Sequence, residues 1–129
     1  MLFVCFPVLN RKHFILFLIM LFMVYAVYKI QSFKKEEEKL SKKDKNRIQK
    51  VFEQLKINPY AGDQLQIKSL REKRLSEKRI YYLVFEDLKA ILIIGMSNKK
   101  TQQKTIDKIL IFINDYRNYL KGLLEKDGN

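Results

Sequence analysis

Hydrophobic and polar positions change their period several times along the chain, and each change marks an element. From Val24 to Ile30 the pattern alternates, with Val24, Ala26, Tyr28 and Ile30 on one side and Tyr25, Val27 and Lys29 on the other, as in a first β-strand. The charged stretch Phe33 to Leu40 predicts a short helix. Ser41 then supplies a hydroxyl N-cap with Asp44 three residues on, opening a second helix whose Ile48, Val51, Phe52 and Leu55 recur at helical spacing. Asn58-Pro59 ends that helix, because the proline ring disfavours helical geometry at the preceding residue, and Gly62 completes the turn. Leu65 to Leu70 alternates over a short distance and reads as a strand.

The stretch Leu70 to Lys100 organises what surrounds it. Arg79 to Phe85 (RIYYLVF) and Leu88 to Met96 (LKAILIIGM) are β-branched, aromatic or aliphatic almost throughout, which suits a pleated sheet. The break at Glu86-Asp87 is too short for a crossover, so the two strands form an antiparallel hairpin. Apolar residues on both faces mark central strands, with Arg79, Tyr81 and Leu83 on one face and Ile80, Tyr82 and Val84 on the other. Ser97 or Asn98 then caps one long final helix carrying Ile106, Ile109, Leu110, Ile113, Tyr116, Leu120 and Leu124 on a broad face that Ile111 and Phe112 widen.

Charge adds a second pattern to this one. Lys68, Arg71, Lys73, Arg74, Lys78 and Arg79 crowd the hairpin's entrance against Glu72 and Glu77, and Lys99, Lys100 and Lys104 follow its exit. Folding the hairpin back brings entrance and exit to one end of the sheet, a site for a polyanion. The whole chain of 129 residues, one domain's worth, has a formal net charge of +12, which favours nucleic acid, a ribosome, an acidic protein or an anionic surface without choosing among them. For Arg71, Lys73, Arg74, Lys99 and Lys100 the plainer reading is a solvated surface charge.

Cys5 is the only cysteine and His13 the only histidine, which excludes an internal disulfide, a cysteine-histidine zinc site and a histidine-activated nucleophile within one chain. The four glycines are scattered, so no glycine-rich phosphate loop exists. Any catalysis must use other groups. RNA permits that: its own 2′-hydroxyl can attack the adjacent phosphate when fixed cations stabilise the developing charge.

The N-terminus leaves alternatives open. Phe14 to Tyr28 is an uncharged apolar run behind Arg11, Lys12 and His13, in the manner of a membrane anchor or a signal peptide. As a helix it would reach roughly 22 Å, short of the ~30 Å hydrocarbon core, and no small-residue cleavage site follows it. The reading adopted starts the protein at Met23 (or Met20), with residues 1–22 an upstream extension and residues 23–129 the folded domain. If residues 14–30 are instead a single-span anchor, Lys29, Lys34, Lys35 and Lys39 outnumber Arg11 and Lys12 and place the domain in the cytoplasm. A cleaved signal is the third reading.

The helix ending in NPYAG (Asn58 to Gly62), the leucine-bearing Leu65 to Leu70, the basic REKR, then RIYYLVF and ILIIGMSNKK occur in an order that resembles the RelE/ParE superfamily of toxins from type II toxin-antitoxin modules. The resemblance runs from Val24 to Ile106. It implies an α+β fold of order β-α-α-β-β-β-α, a small, mainly antiparallel four-stranded sheet packed by two N-terminal helices, with a long C-terminal helix. It also implies a cytoplasmic endoribonuclease that cuts messenger RNA on the ribosome. Carried onto this chain, Arg74 would contact phosphate, Arg79 would stabilise the transition state, and Lys99 or Lys100 would act after the last strand. Arg71 and Lys73 would bind RNA backbone or ribosomal RNA, and Lys68, Lys78 and Lys104 complete that basic set. A cognate acidic antitoxin is the implied partner. The family's C-terminal tyrosine or histidine has no counterpart here, since Thr105 and Ile106 stand near its place and the next tyrosine is Tyr116, so Tyr81 or Tyr82 would have to substitute. The alternative within the superfamily is a non-enzymatic ParE-like poison of DNA gyrase, or an inactive nucleic-acid-binding relative.

Overall fold

The computed structural model describes residues 11–127. Its elements are α1 (Arg11–Met23), β1 (Ala26–Lys29), α2 (Gln31–Glu38), α3 (Lys42–Ile57), β2 (Asp63–Gln64), β3 (Leu70–Leu75), β4 (Lys78–Phe85), a single 3-10 turn (Glu86–Leu88), β5 (Ala90–Ser97), α4 (Gln102–Ile111) and α5 (Ile113–Asp127). The strands form one sheet in the order β1-β5-β4-β3-β2, parallel between β1 and β5 and antiparallel elsewhere. The class is α+β, as the resemblance implies.

The sheet is covered on both faces, which is why β4 and β5 carry no polar side. Ile80, Tyr82, Val84, Ile91 and Ile93 pack with Phe33 of α2 and with Ile48, Phe52 and Leu55 of α3. Tyr81, Leu83, Phe85, Leu92 and Ile94 pack with Ile106 and Ile109 of α4 and Leu120 of α5. Each fully buried leucine or isoleucine contributes roughly 1.5–3 kcal/mol by leaving water. The α3 start is as expected, with Ser41 accepting from the Asp44 backbone N–H at 3.2 Å.

Four expectations need correction. The sheet has five strands, not four, because the segment after Gly62 pairs its first residues, Asp63 and Gln64, with Glu72 and Arg71; the strand expected over Leu65 to Leu70 does not form, since β2 ends at Gln64 and β3 begins only at Leu70. The last strand begins at Ala90 rather than Leu88, since Glu86 to Leu88 form the 3-10 turn and Lys89 adopts the left-handed conformation that reverses the chain. The first strand is shortened at its start, where α1 runs through Met23. The final helix is broken at Phe112, whose N–H is shared between the carbonyls of Lys108 and Ile109. An unbroken helix over α4 and α5 would be about 39 Å long against about 27 Å for an eight-residue strand, so a straight rod would carry one end's apolar stripe off the sheet. The break lets Ile109 and Leu120 both stay buried.

No described helix is long and apolar enough to cross a membrane. In α1 the side chains of Phe14, Ile15, Leu16 and Leu18 are exposed.

Candidate functional site

Three local features assemble a basic cavity at the β3-β4 turn. The two-residue loop Ser76-Glu77, with Ser76 at φ 58°, sets the register that places Arg74 directly opposite Arg79. A positive φ at the first loop residue fits the primed turns whose twist matches a hairpin. An irregularity between Tyr81 and Tyr82 shifts the β4-β5 register so that Arg79 pairs with Ser97, which delivers the next residues to Arg79's side. Asn98 then fixes the following loop, its Oδ1 accepting from both the backbone N–H and the hydroxyl of Thr101 at 3.1 Å. The N-cap of α4 is therefore Thr101 rather than Ser97 or Asn98 as expected, and Asn98 acts one turn earlier by holding Thr101 in place.

Arg74, Arg79, Lys99 and Lys100 consequently line one cavity of about 440 Å³, together with Ser76, Glu77 and Asn98. All four residues assigned to chemistry from the sequence meet there. Like charges facing each other across a strand pair are destabilising by themselves, so the arrangement favours an anion between them. Arg79 is also organised from below. Its Nη1 donates to Glu72 Oε1 at 2.5 Å, and Gln102 in the first turn of α4 donates to both Glu72 oxygens at 3.1 and 3.3 Å. The Glu72 side chain is 6% exposed and that of Arg79 11%. The hydrogen bond to Glu72 raises the Arg79 pKa further above its ordinary value, so the guanidinium is a fixed cation. Glu72 was legible only as an acid offsetting its basic neighbours; its period-two position on the face that Arg74 and Arg79 share was the signal for more.

The other assigned residues lie elsewhere. Lys78 alternates to the opposite face from Arg79 and lines a neighbouring cavity with Met96 and residues of α2. Lys73 pairs with Ile80 on that same opposite face. Lys104 is exposed in the first turns of α4. Lys68 and Arg71 stand at the far end of the sheet, where both cations lie over the ring of Tyr60, at 5.2 and 4.7 Å. Lys68 pairs there with Glu86 at 3.4 Å, and Arg71 donates to the backbone oxygens of Lys68 and Gly62. The Tyr60 hydroxyl donates to Glu86; that bond first, and Lys68 second, hold the Glu86 carboxyl below its usual range. Hairpin folding thus unites only part of the basic arm, because β3 is long enough to carry its first cations to the opposite end.

Tyr81 and Tyr82 are both fully buried and face opposite ways. The Tyr81 hydroxyl is 2.7 Å from Ser97 Oγ, on the Arg79 face, and burial raises its pKa. Tyr82 points into the α2-α3 side and accepts from the Gly62 N–H at 2.9 Å, which ties it to the turn after α3 and removes it from the cavity. Among the described residues no group of histidine, cysteine and carboxylate side chains is arranged to hold a metal ion.

No protein-family model matches the chain, and no curated protein matches it in sequence. Solved structures match in fold. RelE in the archaeal RelE-RelB complex of Pyrococcus horikoshii aligns at 21% identity with a TM-score of 0.55, over 59% of this chain and 96% of that one. An arginine-to-alanine double mutant of the E. coli toxin RelE in the free state aligns at 15% identity and 0.56, over 67% of this chain and 98% of that one. The RelBE2 toxin-antitoxin complex of Mycobacterium tuberculosis gives 16% and 0.51, over 59% and 92%. Over nearly the whole length of those chains, this protein therefore has the RelE toxin fold.

Proposed function

We propose that this protein is the toxin of a type II toxin-antitoxin module and a ribosome-dependent messenger RNA endoribonuclease acting in the cytoplasm. The observation that carries the reading is the convergence of Arg74, Arg79, Lys99 and Lys100 on one cavity. A phosphodiester seated there would have Arg74 on a flanking phosphate, while Arg79 and the two lysines face the oxygens on which charge grows during 2′-hydroxyl attack. Fixed cations aimed at developing charge act without reorganising, and Glu72 holds Arg79 in place beforehand. The attacking hydroxyl must lose its proton. Glu77 lines the same cavity and is the carboxylate to receive it. The cleaved ends are a 2′,3′-cyclic phosphate and a 5′-hydroxyl whose proton comes from a neighbouring lysine ammonium or water. An acidic antitoxin would cover the same cations; RelE of the matched structures is seen with RelB.

The burial of both tyrosines favours a second reading. A fold without a tyrosine reaching the phosphate suits a ParE-like poison of DNA gyrase. The two are separated by inducible expression in bacteria of the Met23-initiated form, taking residues 1–22 as an extension of the toxin domain, with message ends mapped after growth arrest. Cuts within translated frames, lost in Arg79→Ala, support the nuclease; arrest with intact messages and a DNA-damage response supports the gyrase reading, and no arrest refutes both.

A further inference from the structure

A second cavity, of about 350 Å³, lies on the opposite face of the sheet at the same end and shares Asn98 with the basic one. Its walls differ from those of a phosphate site. Leu40 and Met96 provide an apolar surface, Ser97, Asn98 and Thr101 provide polar groups, and Glu36 provides a carboxylate beside the cations Lys39 and Lys78. Glu36 is exposed, and among the described residues it forms no ion pair. The apolar surface distinguishes this wall from the basic cavity, whose lining is polar and charged throughout. It is suited to the other half of a nucleotide. A base offers an apolar face to lie on Leu40 and Met96 and N–H donors at its edge for a carboxylate.

We infer that this second cavity is a base subsite, taking an unpaired nucleobase with an exocyclic amino group from the nucleotide next to the phosphate held by Arg74, Arg79, Lys99 and Lys100, with Glu36 accepting from the amino group. The inference rests on the phosphate reading above and adds a specificity determinant to it. Lys78 lines this cavity while its sequence neighbours Glu77 and Arg79 line the other, so it is the cation to meet the linking phosphate. The Asn98 oxygen is occupied by Thr101, which leaves its amide N–H groups to donate to a base acceptor.

Cytosine and uracil test this, because they share size and shape and differ at the amino-bearing edge. Fluorescence anisotropy at low salt is measured with the full chain and 2′-deoxy-blocked oligouridylate carrying one central cytidine, against oligouridylate alone. The expected result is at least fivefold tighter binding of the cytidine oligomer, and loss of that preference in Glu36→Ala with affinity for oligouridylate unchanged or increased. Arg74→Ala, by contrast, weakens both oligomers alike. Equal binding of the two oligomers, or a preference that survives Glu36→Ala, overturns the base subsite while leaving the phosphate site standing. Failure of either oligomer to bind, with Arg74→Ala indistinguishable from the parent, overturns both.

Discussion

Replacing Gly62 by alanine should destabilise the protein far more than a single methyl group suggests. Gly62 is buried at the turn between α3 and β2, and its φ is not in the left-handed region, so conformational freedom is not what it supplies. It supplies closeness. A Cβ there would stand 2.6 Å from the backbone oxygen of Glu72 and 2.6 Å from the Tyr82 hydroxyl. The first atom belongs to the strand pairing of β2 with β3, and the second is the acceptor for Gly62's own N–H at 2.9 Å. Neither is the end of a flexible side chain. Overpacking costs about 1–3 kcal/mol, and displacing the buried Tyr82 hydroxyl adds about 1 kcal/mol, so Gly62→Ala should cost about 2–4 kcal/mol. For a domain of this size that lowers the thermal midpoint by about 10 °C. Urea titration followed by circular dichroism should show a lower midpoint at unchanged slope. Tyr82→Phe removes one of the two obstructing atoms, so the double variant should be less destabilised than the sum of the singles. A Gly62→Ala protein within about 0.5 kcal/mol of the parent would refute the close-approach argument.

Other outcomes follow from the same geometry. Arg79→Ala should lower message cleavage by about 10²–10³ with the thermal midpoint monitored in parallel, whereas Glu72→Gln, which leaves Arg79 present but released, should lower it by about tenfold; cleavage assays with reconstituted translating ribosomes measure both. The Glu86 carboxyl titrates lower in the folded protein than its ordinary 4.5, so its contribution to stability is present above that value and is lost as pH falls through the depressed one. Thermal midpoints measured from pH 6 down to pH 3 should therefore fall less steeply in Glu86→Gln than in the parent. Ser76→Gly should stabilise the hairpin turn by about 0.5–1 kcal/mol, because glycine takes the positive φ without a Cβ penalty, as a raised urea midpoint would register. Leu83→Ala, at a fully buried position, should cost about 2–5 kcal/mol.

The central hairpin was readable because two apolar strands with a two-residue polar break admit one arrangement, and its register carried Arg74, Arg79, Lys99 and Lys100 to a common place. Face assignments were readable for the same reason: period two is rigid, so Tyr81 and Tyr82 had to part. What alternation could not reveal was how far each side chain is buried, and therefore that Tyr82 is spent on Gly62. The kink at Phe112 left no trace in glycine or proline, since it arises from the length of the sheet beneath. Strand β2 is two residues long and is set by pairing with Arg71 and Glu72 rather than by any pattern of its own. Glu72 shows the general difficulty: a lone acid in a basic run looks like a charge offset until the strand is folded and it proves to grip Arg79.

The parallel pairing of β1 with β5 has a bearing on synthesis. Ala26 is matched with Ala90, and every strand between them, with α2 and α3, must be made before that match can form. A chain leaving the ribosome therefore holds its first strand unpaired until its last has emerged, and contacts so distant in sequence are slow to close. Lys99, Lys100 and Gln102 follow β5 directly, so the basic cavity is completed at the same late moment as the sheet. Whatever anion the cavity takes, the nascent chain cannot bind it until it is nearly finished.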